Sequence, residues 1–293
     1  MLKKMGYWWV PVGSFALAVL LSLVAGPSRD AKALRSEGDE TAQEKKFVCL
    51  KIFVIQDDNN GKGGSKYKKC DAEDKTKLND IVNELNKIYN AAAKVCFTFD
   101  KDKDITCVQV NGAFDDKGNF NPDDNAAQGK LFEGTVLGPK KEDSKKCINL
   151  IFIEKFLEKD VHGNTPKIGT TMGPMNANAS EVDDKATVND IAHEVGHQFM
   201  LDHFDPTADQ LKNALKDAKN KGDAEKAIKD LIDPAFTDNL MFSASKSYGV
   251  DVPGIGEVKV EVKRGAKLND DQVKKVREKA CDPTKFALNN LPG

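Results

Sequence analysis

The chain has 293 residues, enough for one sizeable catalytic domain or two small ones. Hydrophobic residues make up 40% and charged residues 31%, the balance of an ordinary globular fold. A formal net charge of -2 excludes the strongly basic footprint that nucleic-acid binding needs.

The N-terminus reads as an address rather than as fold. Lys3 and Lys4 precede an apolar run from Tyr7 to Ala25, which Gly26-Pro27 ends. Positive charge, apolar stretch and then polar residues is the order of a secretory signal, and Ala31-Lys32-Ala33 offers a small-x-small cleavage site. Residues 1–33 are therefore expected to be a signal peptide and the mature protein to be secreted, periplasmic or extracellular. If the run is not cleaved it anchors the chain, and only then is a membrane a partner. Residues 34–46 are polar and are expected to be a linker or a short pro-segment.

Six cysteines, Cys49, Cys70, Cys96, Cys107, Cys147 and Cys281, all follow the signal. In an oxidising compartment an even number suggests up to three disulfides. Their spacing does not fit a zinc ribbon. Cys96 and Cys107 flank the charged turn Asp100–Asp104 between two apolar runs, which predicts a hairpin closed by a Cys96–Cys107 bond.

Residues 47–55 predict a buried strand. Between residues 74 and 93, Leu78, Ile81, Val82, Leu85, Ile88 and Tyr89 recur at helical spacing. Residues 95–99 and 105–110 are the two arms of the expected hairpin, and residues 111–146 read as polar loop. Residues 148–153 predict a second buried strand. Residues 169–180, rich in glycine and small residues, predict an edge strand entering a loop. A helix follows, then two short helices over 207–232 broken near Gly222, a short strand at 258–262 and a last helix at 269–280. This order is mixed α/β (α+β), with a twisted mixed sheet packed on helices.

The informative segment is His193-Glu194-Val195-Gly196-His197-Gln198-Phe199-Met200-Leu201-Asp202-His203. Two histidines four apart on a helix lie about 40° apart around its axis, so both imidazoles can reach one ion. Glu194 follows the first of them and can take a proton from water on the metal's open side. Val188, Ile191, Ala192, Val195 and Phe199 form an apolar stripe roughly opposite the histidines, and Thr187 with Asp190 resembles a capping box. The chain has four histidines, and three of them fall within this segment; the fourth, His162, lies by a Gly-Asn-Thr-Pro loop.

The ten-residue step from His193 to His203 resembles the extended motif of the metzincin metalloproteases, HExxHxxGxxH. The resemblance spans about 195 residues, with motif-level matches only at this helix and at Asn239-Leu240-Met241, which resembles the family's Met-turn. It implies one catalytic zinc held by His193, His197 and His203, with Glu194 as general base. It also implies an apolar floor at Met241, and an N-terminal subdomain over 47–203 with a smaller helix-rich C-terminal one over 204–293. The implied activity is endopeptidase hydrolysis of a protein or peptide substrate, added as a strand along the edge expected within 169–180.

The sequence also departs from the family. Met200 stands where the pattern has the glycine that lets the chain turn, and this leaves Asp202 open as a substitute third ligand. Ser243 stands where some members carry tyrosine; Tyr248 is the candidate for an oxyanion or substrate contact, against a place in the core or on the surface. Calcium at the Asp-rich loops 57–60, 100–104 and 115–121 has no EF-hand spacing behind it. Asn178-Ala179-Ser180 is a glycosylation sequon. Two other functions stay open: a zinc hydrolase with a different third ligand, such as a downstream glutamate, and an exported metal-binding protein without turnover.

Overall fold

The computed structural model describes residues 44–58, 61–136, 146–157, 163–164, 179–244 and 247–280. Residues 1–43 with the expected signal segment, His162, residues 169–178 and Cys281 fall outside these. Residues Gln43–Gly293 form one unit by themselves, and its centre is a mixed sheet. Strand β1 (Lys46–Ile55) pairs in parallel with β4 (Ile148–Ile153), and β4 with β6 (Ala179–Asp183). On its other side β1 pairs in parallel with β2 (Val95–Thr98) and then with β3 (Ile105–Val108). The short strand β5 (Gly163–Asn164) adds to β6 antiparallel and ends the order β2-β1-β4-β6-β5.

A sheet covered on both faces needs apolar residues pointing both ways. In β1, Val48, Leu50, Ile52 and Val54 enter one cluster while Phe53 and Ile55 enter another; in β4, Ile148, Leu150 and Phe152 oppose Ile151 and Ile153. The first face is covered by α1 (Ala72–Ala93), α3 (Val188–Gln198) and α6 (Asp270–Ala280), through residues such as Leu78, Leu85, Ile191, Val195 and Val276. Each fully buried Leu, Ile or Val contributes about 1.5–3 kcal/mol relative to exposure. The second face is covered by α2 (Asn125–Gly134) through Ala127, Leu131 and Phe132.

Helices α4 (Ala208–Leu215) and α5 (Lys221–Ile232) and the antiparallel hairpin of β7 (Ser247–Val252) and β8 (Gly256–Glu261) follow the metal-motif helix. They share a third cluster built on Ile228, Ile232, Phe236, Phe242 and Val258. Among the described residues no helix is long and apolar enough to cross a membrane.

Three expectations are corrected. First, β2 and β3 are not a hairpin. They run in the same direction along one edge of β1, with the turn at residues 99–104 carrying the chain forward. Cys96 is level with Phe47 and Cys107 with Val54, seven residues along β1. At about 3.3 Å per residue that is roughly 23 Å, far beyond a disulfide's reach. Cys107 instead pairs with Cys70, and Cys49 with Cys147, which ties β1 to the start of β4; among the described residues Cys96 is a buried free thiol. Second, the stretch read as loop contains α2. Its two glycines hide the periodicity, although Asp124 caps it by accepting from the Ala126 and Ala127 N–H groups. Third, of the edge strand expected over 169–180 only Ala179 and Ser180 are described; they open β6, which lies between β4 and β5, and β5 is the outer strand on that side among the described residues.

Candidate metal centre

Helix α3 packs on α1, β6 and β5, which fixes which side is left for chemistry. Ile191, Ala192, Val195 and Phe199 are buried in the core of the first sheet face, as the apolar stripe requires. The helix starts at Thr187, whose hydroxyl accepts from the Asp190 N–H while Asp190 accepts from the Thr187 N–H, a capping box. It ends in a Schellman motif: Met200 N–H donates to the His197 carbonyl and Leu201 N–H to the Gly196 carbonyl.

Met200 is the residue that makes this turn, at φ 63°. A side chain in the left-handed region costs roughly 1–2 kcal/mol, so the turn forms without a glycine but under strain. Met200 is 40% exposed, so its side chain contributes little packing in exchange. The variant Met200→Gly is expected to raise stability by about 0.5–1 kcal/mol, strain relief outweighing the flexibility gained by the unfolded chain. Denaturant unfolding checks this, and a less stable variant contradicts it.

The turn brings His203 back to the helix. Its Nε2 lies 3.2 Å from His193 Nε2 and 3.1 Å from His197 Nε2, and the latter two are 3.1 Å apart. Among the described residues this is the one cluster of three or more His, Cys, Asp or Glu side chains able to hold a metal ion. The Asp-rich loops at 100–104 and 115–121 form none; Asp100 and Asp115 accept from backbone N–H groups of their own turns. Asp202, open as a substitute ligand, is exposed, pairs with Lys275 at 3.7 Å and is not one of the converging groups.

The donor chemistry fits a cation. His193 Nδ1 donates to the Leu240 carbonyl at 2.9 Å and His197 Nδ1 to the Leu201 carbonyl at 2.8 Å. A carbonyl only accepts, so in the neutral rings the proton sits on Nδ1 and the Nε2 lone pair points inward. The His193 and His197 lone pairs, 3.1 Å apart with no proton between them, repel unless a positive charge lies against them. Tetrahedral zinc with Zn–N near 2.05 Å sets its nitrogens about 3.3 Å apart, close to the observed triangle. The ligands grade from buried His193 to exposed His203, so the site opens to solvent.

Without an ion, burial above all pulls the pKa of His193 down to about 2 and that of His197 to about 4. Both lie below the unfolded value of 6.5, so the unfolded chain binds protons first. Stability from these groups is complete above pH 6.5 and is lost as pH falls through 4. Metal-stripped protein should therefore lose denaturant resistance steadily from pH 7 to below 4.5, less so with His197→Gln; the same slope in that variant contradicts the assignment.

Glu194 lies on the same helix, buried at 8% exposure. Its carbonyl accepts from Ser180 Oγ at 3.3 Å, and Ser180 accepts from Gln198 at 2.8 Å, which joins β6 to the helix. Its carboxylate is close enough to Tyr89 and Arg264 for its charge to favour the protonated form of each. Met241 is fully buried against Gly196: a Cβ there would land on the Met241 sulfur. The preceding Leu240 carbonyl is the acceptor for His193, and Phe204 N–H donates to the Met241 carbonyl at 2.8 Å. Tyr248 stacks on the Phe242 ring at 5.2 Å within the third cluster; partial burial and then the Asp205 charge raise its pKa.

Sequence reasoning missed two contributors. Tyr89, read as one apolar helix position, donates its hydroxyl to the Ala192 carbonyl at 2.7 Å behind the metal helix. Arg264, which no motif marked, is 7% exposed and pairs with Asp190 at 3.2 Å. No protein-family model matches the chain, and no curated protein matches it.

Proposed function

We propose that this protein is an exported zinc-dependent endopeptidase of metzincin type. The observation that carries the reading is the triangle of three imidazole Nε2 atoms 3.1–3.2 Å apart, with Glu194 next to the first of them on one helix. His193, His197 and His203 would hold the ion. When bound, zinc would act as a Lewis acid, easing deprotonation of water and polarising the scissile carbonyl.

The chain's own groups supply the rest. The Leu240 and Leu201 carbonyls orient two imidazoles and hold their protons on Nδ1. Glu194 takes the proton from the attacking water and hands it to the departing amine as the C–N bond breaks, so peptide and water become acid and amine. Met241 and Gly196 supply the apolar floor. Among the described residues β5 is the outer strand beside α3, and an extended peptide added along that edge would lie next to the helix that carries His193 and His197. Tyr248 is kept as a substrate-contact candidate on the strength of its place after the 238–243 turn. Export is supported by the N-terminal pattern and by two disulfides among the described residues.

The test is cleavage of a broad peptide library by the full chain, with chelator and zinc add-back. Cuts that chelator abolishes and zinc restores support the reading. No cuts, or cuts indifferent to chelator, overturn it.

A further inference from the structure

Arg264 binds two elements of the metal centre to each other. Its Nε donates to the Phe242 carbonyl at 2.8 Å and Nη2 to the Ser243 carbonyl at 3.0 Å, while Nη1 donates to Asp190 Oδ1 at 3.2 Å. The other Asp190 oxygen is held by the Thr187 N–H and hydroxyl at 2.9 and 2.8 Å, so Asp190 is fixed to the first turn of α3. The backbone is tied as well, since Asn189 Nδ2 donates to the Arg264 carbonyl at 3.1 Å.

The turn that Arg264 grips at residues 242–243 reaches His193, the middle of α3 and the segment after His203. Its Leu240 carbonyl orients His193, and Met241 seats on Gly196. Its Met241 carbonyl and Ser243 N–H hold the irregular segment just after His203, through Phe204 N–H and Asp205 Oδ1. The far side of the turn is braced by the residues after Arg264: Leu240 N–H donates to the Lys267 carbonyl, and Asn239 Nδ2 to Gln272 at 2.9 Å.

A buried ion pair is a poor way to gain stability, because apolar residues of similar volume hold a core as well. A planar guanidinium fork supplies direction instead. We infer that Arg264 is a positioning residue of the metal centre, setting the distance between the 239–243 turn and α3 at which the three imidazoles converge. This rests on the reading of the three histidines as a metal site.

The test uses the full chain as wild type, Arg264→Lys, and the neutral double variant Arg264→Met with Asp190→Asn, in which neither member of the pair keeps a charge. Cobalt(II) is the spectroscopic probe, because its visible bands report coordination geometry; zinc affinity is read by competition with a chromophoric chelator. The control Ile153→Val weakens the opposite face of the sheet without touching the centre. The double variant should bind zinc about tenfold or more weakly and give an altered cobalt spectrum, at a stability matched by the control, whose spectrum stays that of wild type. Arg264→Lys, which keeps a charge opposite Asp190 and the fold with it, should fall between. Wild-type affinity and spectrum in folded Arg264→Lys, whatever the double variant does, would show a merely structural role and overturn the inference. Wild type that takes up neither metal removes the metal reading itself, and the inference with it.

Discussion

Glu194→Gln should retain its metal and lose its turnover. The substitution keeps shape and size in a position only 8% exposed, and Glu194 is not one of the three converging ligands. What it removes is a carboxylate able to accept a proton, since an amide does not do so near neutral pH. Positioned general bases contribute about 10²–10⁴-fold, so kcat/KM on any cleaved peptide should fall by at least that range. Zinc affinity should stay within a few-fold of wild type. The neighbouring charges also respond: Tyr89 and Arg264 lose the anion that favours their protonated forms, yet burial dominates both groups and the fold should persist. Turnover within tenfold of wild type would remove Glu194 from the proton-transfer role.

Gly196→Ala should cost both stability and metal affinity. Glycine in a helix interior is ordinarily unfavourable by about 0.5–1 kcal/mol, so replacing it would stabilise an open helix. Here an added Cβ would collide with the Met241 sulfur, and lie 3.2 Å from Met241 Cε and 3.4 Å from the Tyr89 hydroxyl. Met241 and Tyr89 are both fully buried, and α3 is held on its other side by Ile191, Val195 and Phe199. The Met241 side chain has to shift within a closed core, and where it cannot, the turn that carries it is pushed back and its Leu240 carbonyl moves off His193. Overpacking of this kind costs about 1–3 kcal/mol, which exceeds the propensity gain, and a disturbed second-shell bond lowers metal affinity about tenfold. Met241→Ala in the same chain makes room, so a double-mutant cycle should show strong coupling. A Gly196→Ala protein that is more stable than wild type and binds zinc normally would contradict this close approach.

What could be read from the sequence follows from which signals are local. Residues 47–55 and 148–153 are continuous apolar runs, as strands buried on both faces must be, and both were expected where they occur. The amphipathic stretch at 74–93 and the capped helix after Thr187 carry their own periodicity and caps. The mixed α/β class was therefore visible. Strand direction was not. Two short apolar runs joined by a charged turn look the same whether they fold back on each other or line up along a third strand, and the choice between Cys96 and Cys70 as partner of Cys107 depends on that alone. Helix α2 and strand β7 were missed because glycines interrupt their patterns, Gly129 and Gly134 in one and Gly249 in the other.

The metal centre divides the same way. His193 and His197 are set by helical spacing. His203 depends on how a methionine turns the chain, and it reaches the cluster because Met200 adopts the left-handed conformation that a glycine would take with less strain. Arg264 reaches back 22 residues to the turn at Phe242 and 74 residues to Asp190, and no local pattern announces either contact.

The central claim is that these three imidazoles are one metal site, and the direct measurement is zinc bound per folded chain by native mass spectrometry, with wild type beside His203→Ala and Asp202→Ala. The account predicts one tightly held zinc in wild type and in Asp202→Ala, and its loss from folded His203→Ala. A folded wild-type chain that takes up no zinc, or a His203→Ala chain that holds it as firmly, would contradict it.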